Sequence, residues 1–123
     1  MLRIAAPHID AWNAWYNATG NAPAGVAPLL AAVDAAARAA GREPAEIERT
    51  VAVLVQLPGG TGRLMGDTTM GAIPALSGPA EVLAEERRAY ARAGIGAVQL
   101  VLDPITLGSI EAFGPVLELL DRD

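Results

Sequence analysis

The sequence predicts an α/β fold built from parallel strand–helix–strand units, and three observations lead to this prediction. Residues 51–57 and 97–102 are nearly continuous apolar runs, as expected for strands of a parallel sheet that is buried on both faces. A helical spacing of apolar residues precedes each run. Strands that alternate with helices of this length favour right-handed crossovers and therefore a parallel sheet.

The first segment of the chain is predicted to leave a short helix and enter a strand. Residues 2–6 are typical of the last turns of a helix, and Pro7 ends it because proline lacks an amide donor and clashes with the preceding turn. Residues 10–13 follow as a short strand. Residues 17–21 are predicted to form a loop because they are rich in Asn, Thr and Gly.

Alanine dominates the first long helix, which is predicted over residues 26–40. Its larger apolar residues recur at spacings of three and four, which indicates one buried face, and Gly41 is a natural end. Pro44 followed by acidic residues predicts a short additional helix before the strand at 51–57. The residues after this strand, 58–76, are glycine-rich and without periodicity, so a long loop is predicted.

Two further helices complete the predicted fold. Pro79 at a first helical position opens a helix over residues 80–93. The apolar side of that helix is predicted to contain Val82, Leu83, Ala89, Tyr90 and Ala93. After the last strand, Ser109 is predicted to cap a final helix. The buried stripe of the final helix is predicted to consist of Ile110, Phe113, Leu117 and Leu120.

Composition excludes several functional classes. The net charge is −5 and the nine basic residues are scattered arginines, so the chain has no basic stripe for a nucleic acid. The absence of cysteine excludes disulfides and thiolate chemistry, and it favours a cytoplasmic location. No apolar run is long enough to cross a membrane, and the amino terminus lacks the pattern of an export signal. A single histidine excludes a multi-histidine metal site, so no metal is predicted.

Ligands of parallel α/β folds bind at the carboxyl ends of the strands, and this rule selects the candidate site residues. Trp12, Asn13, Trp15 and Tyr16 lie at or just after the end of the first strand. The three aromatic rings are typical either of a pocket wall for a planar or apolar ligand or of packing under a loop or at an interface. Both interpretations remain open at this point.

The end of the last strand supplies a carboxylate candidate. Gln99, Val101 and Asp103 share one face of that strand, so Gln99 and Asp103 point away from the helices if the alternate apolar residues contact them. Asp103 followed by proline is also typical of a simple turn. Residues 59–62 with Arg63 are compatible with a generic anion site or with a surface loop, because no known phosphate-binding spacing is present.

Six strings occur in one order along the chain: LRIAA (2–6), DAWN (10–13), AAGREPAEIERTV (39–51), LSGPAEV (76–82), YARAG (90–94) and VQLVLDP (98–104). This series resembles the luciferase-like monooxygenases, a family of flavin- or deazaflavin-dependent oxidoreductases. The resemblance covers nearly the whole chain and corresponds to the last three strands and helices of a TIM-like (β/α)8 barrel. A complete barrel typically needs about 250 residues. The 123 residues are therefore expected to form a single partial-barrel domain.

The resemblance implies a cofactor, a substrate class and site residues. Family members bind reduced flavin mononucleotide (FMN) or the deazaflavin coenzyme F-420 and oxidise small organic substrates. Trp12 and Asn13 are thereby the cofactor-binding candidates, and Trp15, Tyr16 and Asp103 are candidates for the substrate pocket. The catalytic residues are not assigned, because the strands that carry them in the family are not among these strings.

An incomplete barrel leaves two unpaired sheet edges, so the expected partner is a second copy of the chain or a complementary barrel segment. The alternative is a non-catalytic remnant that serves as an oligomerising or ligand-binding module.

Overall fold

The computed structural model describes residues 1–62, 64–65, 68–69 and 73–123. In chain order the elements are α1 (Leu2–Ala5), β1 (Ala11–Ala14), α2 (Tyr16–Thr19), α3 (Ala27–Ala39), β2 (Glu48–Gln56), β3 (Leu64–Met65), β4 (Thr68–Thr69), α4 (Ala80–Arg92), β5 (Ala97–Asp103), α5 (Leu107–Ala112) and α6 (Gly114–Asp121). Two 3-10 helices, Pro23–Gly25 and Pro44–Glu46, precede α3 and β2. The predicted α/β class with parallel strands is confirmed.

The main sheet has three parallel strands in the order β1-β2-β5. β2 is the central strand, and its residues Val51 to Val55 are all buried. β5 pairs with β2 over most of its length, but β1 is short and ends opposite Val51. Leu76 takes the remaining edge of β2, because its amide donates to the Leu54 carbonyl at 2.9 Å and its carbonyl accepts from Gln56 at 2.8 Å. Two separate segments thus share one edge of the central strand.

The sheet has two faces that are covered differently. The helix face is formed by the alternate residues Trp12, Val51, Val53, Val55, Val98 and Leu102, and α3, α4 and α6 pack against it. The opposite face is formed by Asn13, Thr50, Ala52, Leu54, Gln99, Val101 and Asp103. The largest buried cluster lies on the helix face, where the β-branched residues Val51, Val53 and Val55 of the pleated central strand pack against the helices.

Two of the predicted elements differ from the structure, and each difference has a physical reason. Instead of a loop throughout 17–21, Tyr16–Thr19 form one helical turn that ends at Gly20, whose φ of 64° favours glycine. The single final helix is two helices, because Pro115 in the first turn of α6 cannot donate to the preceding turn.

The caps and faces of the last helices also differ from the prediction. Thr106 caps α5 by accepting from the Ser109 amide at 3.1 Å, so Ser109 is not the cap. Phe113 is buried as predicted, but Val82, Ile110 and Leu117 are exposed, and Ala84 and Val116 are buried in their place. Of the helices that the structure describes, none is both long enough and apolar enough to cross a bilayer.

Candidate functional site

The opposite face of the sheet has a small apolar centre. Tyr16, from the one-turn helix that follows β1, packs on Ala52, Leu54 and Val101, and all four are buried. Ile73 and Ala75 add partial cover. The face that an open sheet would expose is therefore partly covered by residues of the same chain.

The aromatic candidates separate onto two sides of the sheet. Trp12 packs on the helix face against Val33 and Ile47, which is a packing role. Trp15 and Tyr16 lie on the other side, with ring centroids 5.1 Å apart and planes inclined by 37°. Trp15 keeps 38% of its surface exposed, so its ring is open to a ligand while Tyr16 is not.

Asn13 is held beside the start of the central strand. The Thr50 hydroxyl lies 2.8 Å from Asn13 Oδ1 and 3.0 Å from the Trp12 carbonyl oxygen. Asn13 pairs in register with Thr50, which pairs with Ala97, the first residue of β5. Asn13 is exposed and therefore accessible from the opposite face.

Asp103 fixes the glycine-rich turn at the other end of the strands. It is 7% exposed, and its Oδ2 accepts from the Gly62 amide at 2.8 Å while its carbonyl accepts from Leu57 at 2.9 Å. A Cβ on Gly60 would lie 2.6 Å from the Asp103 carbonyl oxygen, so only glycine fits this close approach. The predicted glycine-rich segment and the predicted carboxylate thus form one unit. Arg63, the expected anion partner, lies outside the described residues.

The candidate residues do not meet at one point. Asp103 lies six positions beyond Ala97 on β5, and at roughly 3.3 Å per residue this is about 20 Å along the strand. Asn13 therefore sits near the amino end of β5 and Asp103 at its carboxyl end. The cause is the shortness of β1, which pairs only with the first part of β2.

Asn21 is a key residue that sequence reasoning missed. It is 2% exposed, and its φ of 55° lies in the left-handed region that few residues other than glycine adopt. Its Nδ2 donates to the carbonyls of Leu54 and Pro74, both at 2.9 Å, and its Oδ1 accepts from the Leu54 amide at 2.9 Å. On the edge of β2, in the gap between the segments of Ala14 and Leu76, the Asn21 side chain makes the hydrogen bonds to Leu54 that a neighbouring strand would otherwise make. The only sequence signal is that asparagine after glycine tolerates the left-handed region.

A cavity of about 100 Å³ lies on the helix face, between the sheet and the helices α4 and α6. None of the predicted site residues lines it. Tyr90 does, and burial raises the pKa of its hydroxyl to about 12, an effect that the nearby Thr19 hydroxyl opposes only in part. Among the residues that the structure describes, no three acidic, histidine or cysteine side chains are grouped closely enough to hold a metal ion. Comparison of the chain with protein-family models and with curated proteins finds no match.

Proposed function

We propose that this chain forms three consecutive strands of a luciferase-like (β/α)8 barrel and contributes one wall of a flavin or deazaflavin oxidoreductase site. The observation that carries the proposal is the strand order together with the placement of the helices. The parallel strands are neighbours in chain order, and α3, α4 and α6 lie on one face. Barrel strands follow one another in this way with helices outside, whereas a doubly wound sheet changes direction and carries helices on both faces.

Under this proposal the opposite face of the sheet faces the barrel interior. The half-exposed ring of Trp15, supported by Tyr16, is the surface on which a planar ring system stacks. Asn13 remains the cofactor-binding candidate on this face. Asp103 lies at the carboxyl end of β5, where it fixes the glycine-rich turn at the rim of the proposed barrel. Trp12 lies on the helix face, and we assign it no direct contact with the cofactor.

The residues of the opposite face and of the glycine-rich turn fit the ring system of a flavin better than its phosphate. The amides of Gly60 and Gly62 already donate to the Leu57 carbonyl and to Asp103, so the glycine-rich turn offers neither of them to an anion. The phosphate is therefore assigned to other strands of the completed barrel. When bound, the reduced cofactor would supply the hydride or the electrons that activate oxygen.

Three parallel strands do not close a barrel, so its completion requires further strands. Among the described residues, β1 and β5 each have the central strand as their neighbour on one side only. Unpaired edges of parallel strands favour pairing with further strands, from a second copy of the chain or from a complementary barrel segment. Light scattering of the purified protein is expected to show self-association, and a monodisperse monomer would contradict this part of the proposal.

A titration with FMN, and separately with F-420, tests the cofactor site. We expect saturable quenching of cofactor fluorescence by the protein. Trp15→Ala is expected to weaken binding roughly fivefold, because aromatic stacking contributes about 1 kcal/mol. Leu107→Ala is the control, since Leu107 is an exposed apolar side chain on α5, 72% exposed against 38% for Trp15, and it is not among the residues that form or cover this face. Absence of quenching for both cofactors would overturn the proposed cofactor site.

The second candidate function is a non-catalytic module that binds a ligand or forms oligomers. The observation that favours it is the burial of Ala52, Leu54 and Val101 by residues of the same chain, which leaves less of this face for a substrate. Self-association without binding of either cofactor would favour this candidate over the oxidoreductase.

A further inference from the structure

The cavity on the helix face arises from the way the last helix packs. Arg88 on α4 donates to the Leu119 carbonyl at 3.0 Å and pairs with the carboxylate of Asp123, which draws α6 onto α4. The helix face of β5 is left incompletely covered, and Leu100 there is 40% exposed. The gap beneath α6 is the cavity of about 100 Å³.

The lining of this cavity is almost wholly apolar. Aliphatic and aromatic side chains from the sheet and both helices form its walls, among them Val53, Leu83, Val98 and Phe113. Leu100 and Leu117, which is 53% exposed, also line it and mark its mouth. An engineered apolar cavity of ~150 Å³ holds benzene, so this smaller cavity, which opens at its mouth, suits a short chain of roughly four to five carbons.

One cation lines the cavity without a carboxylate partner. The neighbouring arginines on α4, Arg88 and Arg92, pair with Glu85 or with Asp123. Arg87 pairs with no carboxylate among the described residues, and its guanidinium donates to the Gly96 carbonyl at a long 3.3 Å. It is half-buried and is the one charged residue of the described lining. The cavity therefore favours an anion over a cation.

A second polar group of the lining is also without a partner. Tyr90 is 1% exposed, and its hydroxyl makes no hydrogen bond in the part of the chain that the structure describes, since the nearby Thr19 hydroxyl donates to the Tyr16 carbonyl at 3.2 Å instead. A buried hydroxyl without an acceptor is unfavourable, and an acceptor brought by a ligand would relieve it.

We propose that this cavity is a binding site for a small amphipathic carboxylate, with the hydrocarbon part enclosed by the apolar walls and the carboxylate beside Arg87. The size of the cavity sets the length of the hydrocarbon part, and the unpaired guanidinium sets the charge. This site and the proposed flavin site lie on different faces of the sheet, so the two proposals are independent and can be tested separately.

Titration of the purified protein with hexanoate and with 1-hexanol, followed by amide chemical shifts in NMR spectra, tests the proposal. We expect hexanoate to perturb the amide shifts of residues around Leu83, Val98 and Leu117. It should bind roughly three- to tenfold more tightly than 1-hexanol, because an ion pair with a half-exposed arginine strengthens binding by about this factor. Arg87→Gln is expected to remove this preference while 1-hexanol still binds.

Matched variants complete the test. Arg92→Gln removes a charge from the same helix outside the lining and should leave the preference unchanged. Leu117→Trp and Leu100→Trp fill the mouth at exposed positions and should weaken both ligands, with circular dichroism verifying the fold of each. Equal binding of the two ligands, or the same response in Arg87→Gln and Arg92→Gln, would overturn the proposal. A third outcome would also overturn the proposal: hexanoate does not bind the parent protein, and the tryptophan variants lose self-association. That result would identify the cavity as an interface between copies of the chain.

Discussion

The two faces of the sheet are buried by different means. The helix face is covered by α3, α4 and α6, which have 13, 13 and 8 residues. The opposite face is covered by one four-residue helix and by Ile73 and Ala75. The first cover rests on many interchangeable apolar contacts, whereas the second rests on a few residues with particular geometry. We therefore expect truncation of apolar side chains to cost more stability on the helix face. On the opposite face we expect the largest losses at the few residues whose hydrogen bonds or backbone geometry hold the cover in place.

Two residues position the cover of the opposite face. Asn21 ties the segment after α2 to Leu54 and to Pro74. Gly25 lies against the same segment, and a Cβ there would come within 1.9 Å of the Thr19 carbonyl oxygen. A clash with backbone cannot be relieved by a side-chain rotation, so this position requires glycine.

The largest expected effect tests the dependence of the opposite face on Asn21. Asn21→Ala removes three hydrogen bonds of buried or part-buried groups and places alanine at positive φ, so the free energy of unfolding should fall by about 3 kcal/mol. Asn21→Gly should lose about 1 kcal/mol less, because glycine accepts the left-handed backbone. Urea unfolding measures both. Asn17→Ala, at an exposed position of α2, is the control, and an equal loss in that variant would contradict the role of Asn21.

A matched pair of valines compares the two faces directly. Val51 on the helix face is 0% exposed and Val101 on the opposite face is 7% exposed. Val51→Ala should lower the free energy of unfolding by about 2.5 kcal/mol and Val101→Ala by about 1 kcal/mol, because the thinner cover collapses more readily into the space. Chemical denaturation of the two variants gives the difference. Equal losses would show that the two faces are packed equally well.

At neutral pH the smallest expected effect is that of Tyr90 on the helix face, because its contribution to stability changes only in alkaline solution. Its pKa is raised to about 12 in the folded chain, mainly by burial, against roughly 10 in an unfolded chain. The neutral phenol is therefore favoured by folding, so this contribution is fully present below pH ~10 and is lost as the pH rises toward ~12. The loss should amount to about 2 kcal/mol in the free energy of unfolding.

Thermal unfolding between pH 9 and pH 12, compared with Tyr90→Phe, measures the contribution of Tyr90. The phenylalanine variant should lack this part of the alkaline destabilisation. Its stability at neutral pH should be equal or higher, because the buried hydroxyl has no partner among the described residues. An identical alkaline profile in the two proteins would assign the transition to another group.

The strands and long helices follow from the sequence because their signal is local. The apolar run of β2 and the spacings of three and four in α3 and α4 predicted elements that the structure contains within a few residues. The final helix was predicted less well, because its apolar stripe continued across Pro115 and the effect of that proline outweighed it. The six strings that resemble luciferase-like monooxygenases also belong to the sequence, and the family assignment stays a prediction.

The arrangement of the candidate site residues was harder to predict, because it depends on contacts between residues that are far apart in the chain. Asp103 was selected correctly as a residue at the carboxyl end of a strand, but its bond to Gly62 spans 41 positions of the chain. The separation of Trp12 from Trp15 and Tyr16 depended on where β1 ends, which its pairing with β2 decides.

By itself, the sequence determined the α/β class, the order of the main parallel strands and long helices, and the buried residues of β2, because periodicity and β-branched runs encode these locally. Only the tertiary structure decided which segments share the edge of β2, that Asn21 fills the gap between them, and that α6 leaves a cavity beside Arg87. These features depend on contacts between residues far apart in the chain, and no local pattern of side chains specifies them.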